Sequence, residues 1–553
     1  MNEQRAWDTP EQVFHEYRAG VQYKANLGEK GLYRQNEINR RFFSGDQWYG
    51  AKCGGERPLV RHNVIRRIGE YKMSAVGGAP VAVTFSADGV PDTIELREKT
   101  RRHKRLAAAG NLPMLSGDEE VELMMSAFSD YFAVTAERVK LDSLLDKVLR
   151  QAYCTGTGVL YTYWDEHIKT GLYADERRTA PIAGDIACEV LDIENVYFGD
   201  PTVDDVQKQP FVMIVKRMAV SELRRLAQHH GRSDDEIAAI RPDRDEFTPA
   251  GEPEGEGKAL LLTKFYKEYA ADGSYRIMAV QVCRGVTVRG AWDIGLRCYP
   301  LAVFRWDSRY QSAYGESEIT HLIPNQIAIN RMQTSSVWGV LMQGMPTLVV
   351  NGDVVQQPVT NDPGQVIRVF GTGDDVRNAM GYVEPPAFSA ALDSTLASLM
   401  NNTLAQNGAN AAALGDISPD NTSAIIAVRE AAMMPLNAVR LRFHAFCEEV
   451  ARQWAEFWVT GYGKRALKIA DESGVWYLPF DGMRYRNLLI NARVDVGSAT
   501  LWSESQAVLT LDNLLQKGVI TVEQYLKRLP KGTIPDMDGL LRELENLPQE
   551  VTV

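Results

Sequence analysis

The stretch from Tyr310 to Val428 contains only three cationic side chains, those of Arg331, Arg368 and Arg377. The chain has 61 lysines and arginines in 553 residues, so an average stretch of this length would contain about thirteen. Ten carboxylates remain in it, from Glu316 to Asp420. Two interpretations are open: helices buried in a core, which would lose both signs of charge, or a surface past which a polyanion slides. The remaining carboxylates favour the second, because each lysine or arginine that neutralises a phosphate adds affinity.

Length and composition set limits on the class of protein. A chain of 553 residues predicts two to four domains. A net charge of −11 and a pI near 5.4 argue against a dedicated nucleic-acid binder. The sequence shows no secretory signal and no stretch long enough to span a bilayer, so it predicts a soluble intracellular protein without a membrane partner. The scattered cysteines predict reduced thiols: Cys53, Cys154, Cys188, Cys283, Cys298 and Cys447.

No catalytic motif stands out. The Gly461–Lys464 run lacks the spacing of a phosphate-binding loop, and there is no G-x-S-x-G or H-E-x-x-H. His229 and His230 are neighbours that cannot share one helix face, so a metal site there is disfavoured. The acidic pairs Asp374-Asp375 and Glu316/Glu318 are interpreted as ordinary charge. The sequence therefore predicts a protein that is not an enzyme and has no catalytic, cofactor or metal site.

The N-terminal part predicts an α+β fold. One helix is expected to begin at Pro10, with Thr9 as its cap, and a second to end at a break at Ser44-Gly45. Further helices are expected over residues 63–75, 116–132 and 134–153. Residues Arg97–Arg105 place six cations on a predicted helix, where a solvated face is favoured over contact with nucleic acid or an acidic partner. Turns are expected at Asp272-Gly273 and Arg284-Gly285, and a flexible loop over 241–258. The predicted short strands are residues 159–164, 188–191, 211–216, 260–269, 276–283 and 301–306.

The cation-poor stretch has the clearest order of elements. Pro324 predicts the first residue of a helix to about Gln343, roughly 30 Å long. A small β-rich segment follows, containing residues 347–350 and 366–370. A second helix is predicted from the Ser389 cap to the stop at Asn407-Gly408, and then a loop of small and polar residues. A long helix runs to about residue 460; Pro435 should kink it, and one face is apolar: Val439, Phe443, Phe446, Val450, Trp454 and Phe457.

Three segments carry a family resemblance. NEINRRFFSGDQW (36–48) with RPLVRHNVI (57–65), YGESEITHLIPNQIAIN (314–330) and LGDISPDNTSAIIAVREAA (414–432) resemble, in this order, the portal proteins of tailed bacteriophages, which are head-to-tail connectors. The resemblance implies a portal fold with these parts: wing 1–315, stem helix 316–345, clip 346–386, second stem helix 387–407, tunnel loop 408–422, kinked tunnel helix 423–462, wing return 463–502 and a short helical crown 503–553.

The same resemblance implies a function and partners. Portal proteins form rings, twelve-fold in the virion, at one capsid vertex, where double-stranded DNA passes during packaging and ejection. The expected partners are the terminase large subunit, then a head–tail adaptor, with the major capsid and scaffold proteins. Assembly is expected in the host cytoplasm and the final location in the virion. The alternatives are a non-ring head–tail adaptor, usually a shorter protein, and a phage hydrolase.

Particular residues follow from this layout. The tunnel loop would present neutral and acidic groups to DNA, and the clip would present charged groups to the motor or to DNA. The candidates in the loop are Asn407, Asn410, Asp416, Ser418, Asp420, Asn421 and Thr422. Those in the clip are Arg368, Asp374, Asp375 and Arg377, and the helix kink is assigned to Pro435.

Overall fold

The computed structural model describes residues 8–50, 59–78, 81–88, 94–108, 117–173, 181–243, 257–344, 347–355, 357–360, 366–370, 379–383, 390–409, 433–471, 474–494, 501–526 and 529. The fold is α+β, as predicted. Two compact units divide the chain: the first contains Met1–Tyr33, Met73–Ser317 and Pro419–Val553, and the second contains Arg34–Lys72 and Glu318–Ser418. Residues 34–72, which the resemblance assigns to the wing, thus group with the segments assigned to stem and clip.

The helices before residue 300 match most of the predicted ones. Thr9 accepts a hydrogen bond from the Gln12 amide at 3.4 Å, and Pro10 is the first helical residue, as expected of an N-cap. The predicted break near residue 133 is wrong, because one helix continues to Val139 and the next begins after Lys140. The bounds are α1 (Pro10–Ala25), α2 (Leu32–Ser44), α3 (Val64–Gly77), α4 (Ile94–Ala108), α5 (Gly117–Val139), α6 (Leu141–Thr155), α7 (Val220–His229) and α8 (Asp234–Ala239).

The strands of the first unit form antiparallel sheets. One has the order β4-β5-β6-β7-β8 and another the order β3-β2-β9, with the bounds given below. In addition, β1 pairs with residues Ile490–Val494, and residues Lys464–Asp471 pair with Gly474–Asp481. Both predicted hairpin turns are confirmed, with positive φ at Gly273 and Gly285. Five strands, β2, β3, β5, β6 and β7, extend beyond the predicted segments, whereas β1, β4 and β8 were not predicted. The bounds are β1 (Val83–Ala87), β2 (Thr157–Tyr173), β3 (Pro181–Leu191), β4 (Val196–Phe198), β5 (Phe211–Ala219), β6 (Lys258–Tyr269), β7 (Tyr275–Cys283), β8 (Val286–Asp293) and β9 (Leu301–Arg305).

The second unit contains a long helix, a strand pair and a second helix. These are α9 (Glu318–Gly344), β10 (Thr347–Val350), β11 (Met380–Val383) and α10 (Ala390–Gln406). The predicted start of the first helix at Pro324 is wrong, because α9 begins six residues earlier and Pro324 lies inside it. Residues 366–370 have no regular secondary structure, and the partner of β10 is instead β11, which the sequence analysis did not predict.

The C-terminal part returns to the first unit. Its elements are α11 (Asn437–Gly461), β12 (Lys464–Asp471), β13 (Gly474–Asp481), α12 (Gly482–Tyr485), β14 (Ile490–Val494), α13 (Leu501–Gln516) and α14 (Val522–Leu526). All six residues of the predicted apolar face of α11 are buried. The chain turns at Gly518, which has a φ of +69°. Most of the predicted loop at 241–258 lies outside the described residues.

Candidate nucleic-acid interface

The two helices of the second unit, α9 and α10, pack side by side in antiparallel directions. Asn325 Nδ2 donates to Thr403 Oγ1 at 3.4 Å, and further along Ser336 Oγ donates to Asp393 Oδ1 at 3.4 Å. Contacts at higher residue numbers on α9 thus fall at lower residue numbers on α10. The 27 residues of α9 give a length of about 40 Å. The pair is therefore an elongated helical hairpin.

A two-stranded sheet follows the distal end of this hairpin. Thr347 in β10 pairs with Val383 in β11, and the register continues to Val350 opposite Met380. A turn begins at Asn351, whose side-chain oxygen accepts the Asp353 amide at 3.1 Å. Of the predicted clip candidates, Arg368 is exposed, whereas Asp374, Asp375 and Arg377 lie outside the described residues.

The exposed face of α10 is polar and almost uncharged. Its sequence contains one ionisable residue, Asp393, and no lysine, arginine or histidine. The leucines of its apolar stripe are half-buried. The exposed polar positions are Asp393, Ser394, Thr395, Ser398, Asn401, Asn402 and Gln406. Such a face can form exchangeable hydrogen bonds with a phosphate backbone but offers no cation to neutralise it.

The face of α9 changes along its length. Residues up to Thr334 alternate between buried and exposed positions, and the single arginine of the helix, Arg331, is exposed. None of the residues from Ser335 to Gly344 is buried. Four large apolar side chains in this distal segment are exposed, by 39% to 60%: Val337, Val340, Leu341 and Met342. The strand pair adds further exposed apolar groups at Val349, Tyr382 and Val383.

A ladder of three polar side chains holds the first half of α9. Gln326 Oε1 accepts the amides of Val64 at 2.9 Å and Ile65 at 3.2 Å. Asn330 Oδ1 accepts the amide of His62 at 2.9 Å, and Thr334 Oγ1 accepts that of Val60 at 3.1 Å. The three ladder residues are themselves buried.

The spacing of the ladder has a simple geometric basis. Its residues are four apart on a helix, which corresponds to a rise of about 6.0 Å. The amides they bind are two apart on an extended chain, which corresponds to about 6.6 Å. Because the two repeats nearly match, one helix face can bind every second amide from Val60 to Val64, the first residue of α3. The signal in the sequence is Gln326, Asn330 and Thr334 at helical spacing, which the sequence analysis did not use.

Ion pairs account for the acidic residues at the beginning of α9. Glu318 accepts a hydrogen bond from Lys72 Nζ, and both side chains are largely buried. In the first unit, Glu316 forms an ion pair with Arg309 at 3.4 Å. From the sequence the two glutamates were interpreted as ordinary charge rather than as a site. Each forms an ion pair with a cationic side chain, which gives both a structural role.

The predicted tunnel loop is described only at its beginning. Asn407 Nδ2 donates to the Thr403 carbonyl at 2.7 Å, and Gly408 has a φ of +70°, so the two residues end α10 as predicted. Asn407 is therefore engaged with its own helix. The remaining loop candidates lie outside the described residues: Asn410, Asp416, Ser418, Asp420, Asn421 and Thr422.

The long C-terminal helix has an irregular start and a fixed body. A 3-10 turn that contains Pro435 spans Met434–Leu436, and the regular α-helix begins at Asn437. The kink predicted at Pro435 stays a prediction, because residues 423–432 of the predicted helix lie outside the described residues. The body of α11 is held by Arg442, which donates to the Trp306 carbonyl at 2.6 Å, and by Tyr462, which donates to Asp185 Oδ1 at 2.6 Å.

The basic segment on α4 is partly neutralised within the chain. Lys104 Nζ lies 2.5 Å from Asp130 Oδ2 of α5, and Lys99 Nζ lies 3.5 Å from both Glu95 and Glu119. Arg102 is exposed. The side chains of Arg97, Arg101 and Arg105 lie outside the described residues. Both lysines of the segment thus pair with carboxylates of α5, so this part of the predicted solvated face is a packing contact, whereas Arg102 remains exposed.

The part of the chain that the structure describes bears on metal binding, on a reactive thiol and on membrane insertion. No group of three His, Cys, Asp or Glu residues there could hold a metal ion. The adjacent rings of His229 and His230 are 5.2 Å apart and edge-on. Burial raises the pKa of the Cys188 thiol to about 11, so it stays protonated at neutral pH. No helix in the described ranges has the length and apolar character needed to cross a membrane.

Comparisons with known proteins add no assignment to these structural observations. No protein-family model matches this chain, and no curated protein matches it in sequence.

Proposed function

We propose that this chain is the portal protein of a tailed bacteriophage. Copies of it, twelve in the expected ring, would surround the DNA path at one capsid vertex in the virion after assembly in the host cytoplasm. The ring would bind the terminase large subunit during packaging and a head–tail adaptor afterwards. The proposal rests on the sequence resemblance together with the architecture of the second unit.

The observation that carries the proposal is the α9–α10 hairpin with its terminal strand pair. Two antiparallel helices carry a single lysine or arginine between them, Arg331, and end in a small two-stranded sheet. A core hairpin of a globular protein would bury the apolar side chains at its distal end. Here Val340 remains 60% exposed and Tyr382 63% exposed. This combination favours a stem and clip over a core element.

The exposed apolar groups favour association with further copies. Contiguous apolar surface on a chain marks an interaction site, because its exposure to water is unfavourable. Ring neighbours would supply the missing burial for the distal half of α9. Twelve copies of net charge −11 would carry about −130 in total, which repels DNA from the outer surface of the ring.

The polar face of α10 and the tunnel loop fit a sliding function. Each lysine or arginine on a channel wall would attract a phosphate, and the ring would multiply that attraction twelvefold, so that affinity would oppose movement. Serine, threonine and asparagine form hydrogen bonds that exchange readily with water and with the next phosphate. The chain would therefore confine the duplex without holding it.

The oligomeric state tests the proposal directly. Native mass spectrometry and negative-stain microscopy of the purified full chain should show rings with a central channel. Twelve copies of 61.8 kDa give an expected mass of about 740 kDa. A stable monomer at high concentration, with no rings in capsid extracts, would contradict the proposal and favour the adaptor alternative.

The sliding function needs its own test. The double substitution Asn410→Lys and Ser418→Lys should leave ring assembly intact and slow or stall DNA packaging, because it adds a cation to the loop at two positions per copy. The matched control is Asn410→Gln with Ser418→Thr, which keeps both positions neutral and should package at the wild-type rate. Wild-type packaging by the lysine variant would show that the absence of cations is unimportant.

A further inference from the structure

Lys24, near the C-terminal end of α1, is completely buried in the first unit. An unpaired ammonium inside a protein is unfavourable unless hydrogen bonds replace its water. Its Nζ donates to the carbonyl oxygens of Ile193 at 2.7 Å, Glu194 at 3.1 Å and Val196 at 2.7 Å. An ammonium has three N–H donors, so these three carbonyls saturate it.

The three carbonyls belong to a turn that is built independently of the lysine. Residues Ile193–Asn195 form a single 3-10 turn, and Val196 is the first residue of β4. The Asp192 side chain caps this turn by accepting the Glu194 amide at 3.1 Å. Pairing of β4 with β5 fixes the strand that follows. The oxygen atoms therefore converge on one point because of the local fold.

An aromatic wall completes the site. The Lys24 ammonium lies 3.6 Å from the centre of the Tyr197 ring and 5.3 Å from that of Tyr314, both within the range of a cation–π interaction. Tyr197 is in turn held by a 3.0 Å hydrogen bond between its hydroxyl and that of Tyr33. One helical turn before Lys24, Gly20 gives α1 the room to approach, since a Cβ there would lie 2.8 Å from Tyr197 Cδ1.

The chemistry of this cage favours a primary ammonium over other cations. A quaternary ammonium has no N–H to donate to the carbonyls. A guanidinium spreads five donors over a planar fork, which does not match three oxygens that converge on one point. Burial lowers the pKa of Lys24 well below its usual value, and the nearby carboxylates of Glu194 and Asp192 act against that shift. Burial alone therefore disfavours the charged form, and it is the three converging oxygens and the ring face that fit one primary ammonium.

We propose that the 193–196 turn and Tyr197 form a binding site for a primary alkylammonium, that its ligand in the native chain is the Lys24 side chain, and that its occupancy docks α1 on the five-stranded sheet. The apolar residues Val13 and Tyr17 of α1 pack against the same sheet. The ammonium site then fixes the C-terminal end of the helix. This proposal is independent of the portal function.

Chemical rescue tests the site in the full-length chain. Lys24→Ala removes three methylene groups and the ammonium, which leaves a space of the size of n-propylammonium. We expect hydrogen exchange of the α1 amides to accelerate roughly 10- to 100-fold, because hydrogen bonds to a charged group are lost. Addition of n-propylammonium should return the exchange towards the wild-type rate. Tetramethylammonium and potassium at equal ionic strength should not.

Two further variants keep the test decisive. Lys24→Met fills the space with an apolar chain, so it should accelerate exchange and not respond to n-propylammonium. Lys208→Ala is the control, since the Lys208 side chain is 77% exposed and its loss should change nothing in α1. Wild-type exchange in Lys24→Met would overturn the proposal, because the carbonyls would then need no ammonium. Equal rescue by all three cations would overturn the assignment to a primary ammonium.

The aromatic wall provides a test that does not depend on the folding of the Lys24 variants. Tyr197→Phe keeps the ring face, and Tyr197→Leu removes it. The leucine variant should exchange its α1 amides several-fold faster than the phenylalanine variant. Equal exchange in the two would show that the ring does not bind the ammonium.

Discussion

Two long helices that the structure describes after residue 300, α9 with 27 residues and α11 with 25, are buried in opposite ways. The body of α11 is enclosed by its own chain, with Trp454 and Trp458 fully buried. The buried positions of α9 end at Thr334, and half of them are polar. The comparison indicates that α11 stabilises the folded chain, whereas the distal half of α9 leaves its apolar side chains exposed; under the proposed function a neighbouring copy would bury them.

The largest effect on stability should come from truncating a buried side chain of α11. Trp458 has no exposed surface and lies 5.1 Å from the Phe128 ring and 5.3 Å from that of Tyr131. Trp458→Ala should lower the free energy of unfolding by about 3–5 kcal/mol, because it leaves a large cavity. The matched change on α9, Val340→Ala, should cost under about 0.5 kcal/mol in the dissociated chain. Urea denaturation measures both, and equal losses would remove the contrast between the helices.

The second effect concerns assembly. Val340→Asp with Leu341→Asp places two charges where we propose that a neighbouring copy packs, so burial of unpaired carboxylates should weaken each contact by about 3 kcal/mol. We expect an unchanged unfolding transition of the dissociated chain and a loss of rings in native mass spectrometry. Ser335→Asp, also exposed on α9 but outside the apolar group, is the control and should still form rings. Normal rings from the double variant would show that this surface faces no copy.

The third effect tests the polar ladder that replaces an apolar core under α9. Asn330 accepts the His62 amide at 2.9 Å and donates to Gln47 Oε1 at 2.8 Å. Asn330→Leu removes both bonds and leaves the buried Gln47 Oε1 without this donor, so it should cost about 1–3 kcal/mol. Hydrogen exchange at the His62 amide should rise in parallel. The control Asn401→Leu, at an exposed position of α10, should change stability by less than about 0.5 kcal/mol.

Local signals in the sequence were enough for some elements. The end of α10 at Asn407-Gly408 and the apolar face of α11 follow from helical spacing and glycine chemistry. The start of α9 was missed because Lys72 and Asn39 contact Glu318 and Thr320, and these contacts join residues more than 240 positions apart. The ladder was missed for the same reason. Strand β11, with the sequence MGYV, is recognisable only through its partner β10.

The smallest effect in free energy concerns the junction before α11. Pro435 has no N–H to donate to the carbonyl four residues earlier, and the chain forms a 3-10 turn over Met434–Leu436 in which the Asn437 amide bonds to the Met434 carbonyl. Pro435→Ala restores the donor, so we expect these residues to become regular α-helix, with a change in stability below about 1 kcal/mol. Cryo-electron microscopy of the variant would show it. If the 3-10 turn persists in the alanine variant, the proline does not cause it. The burial of Leu436 would then be what fixes the irregular start of α11.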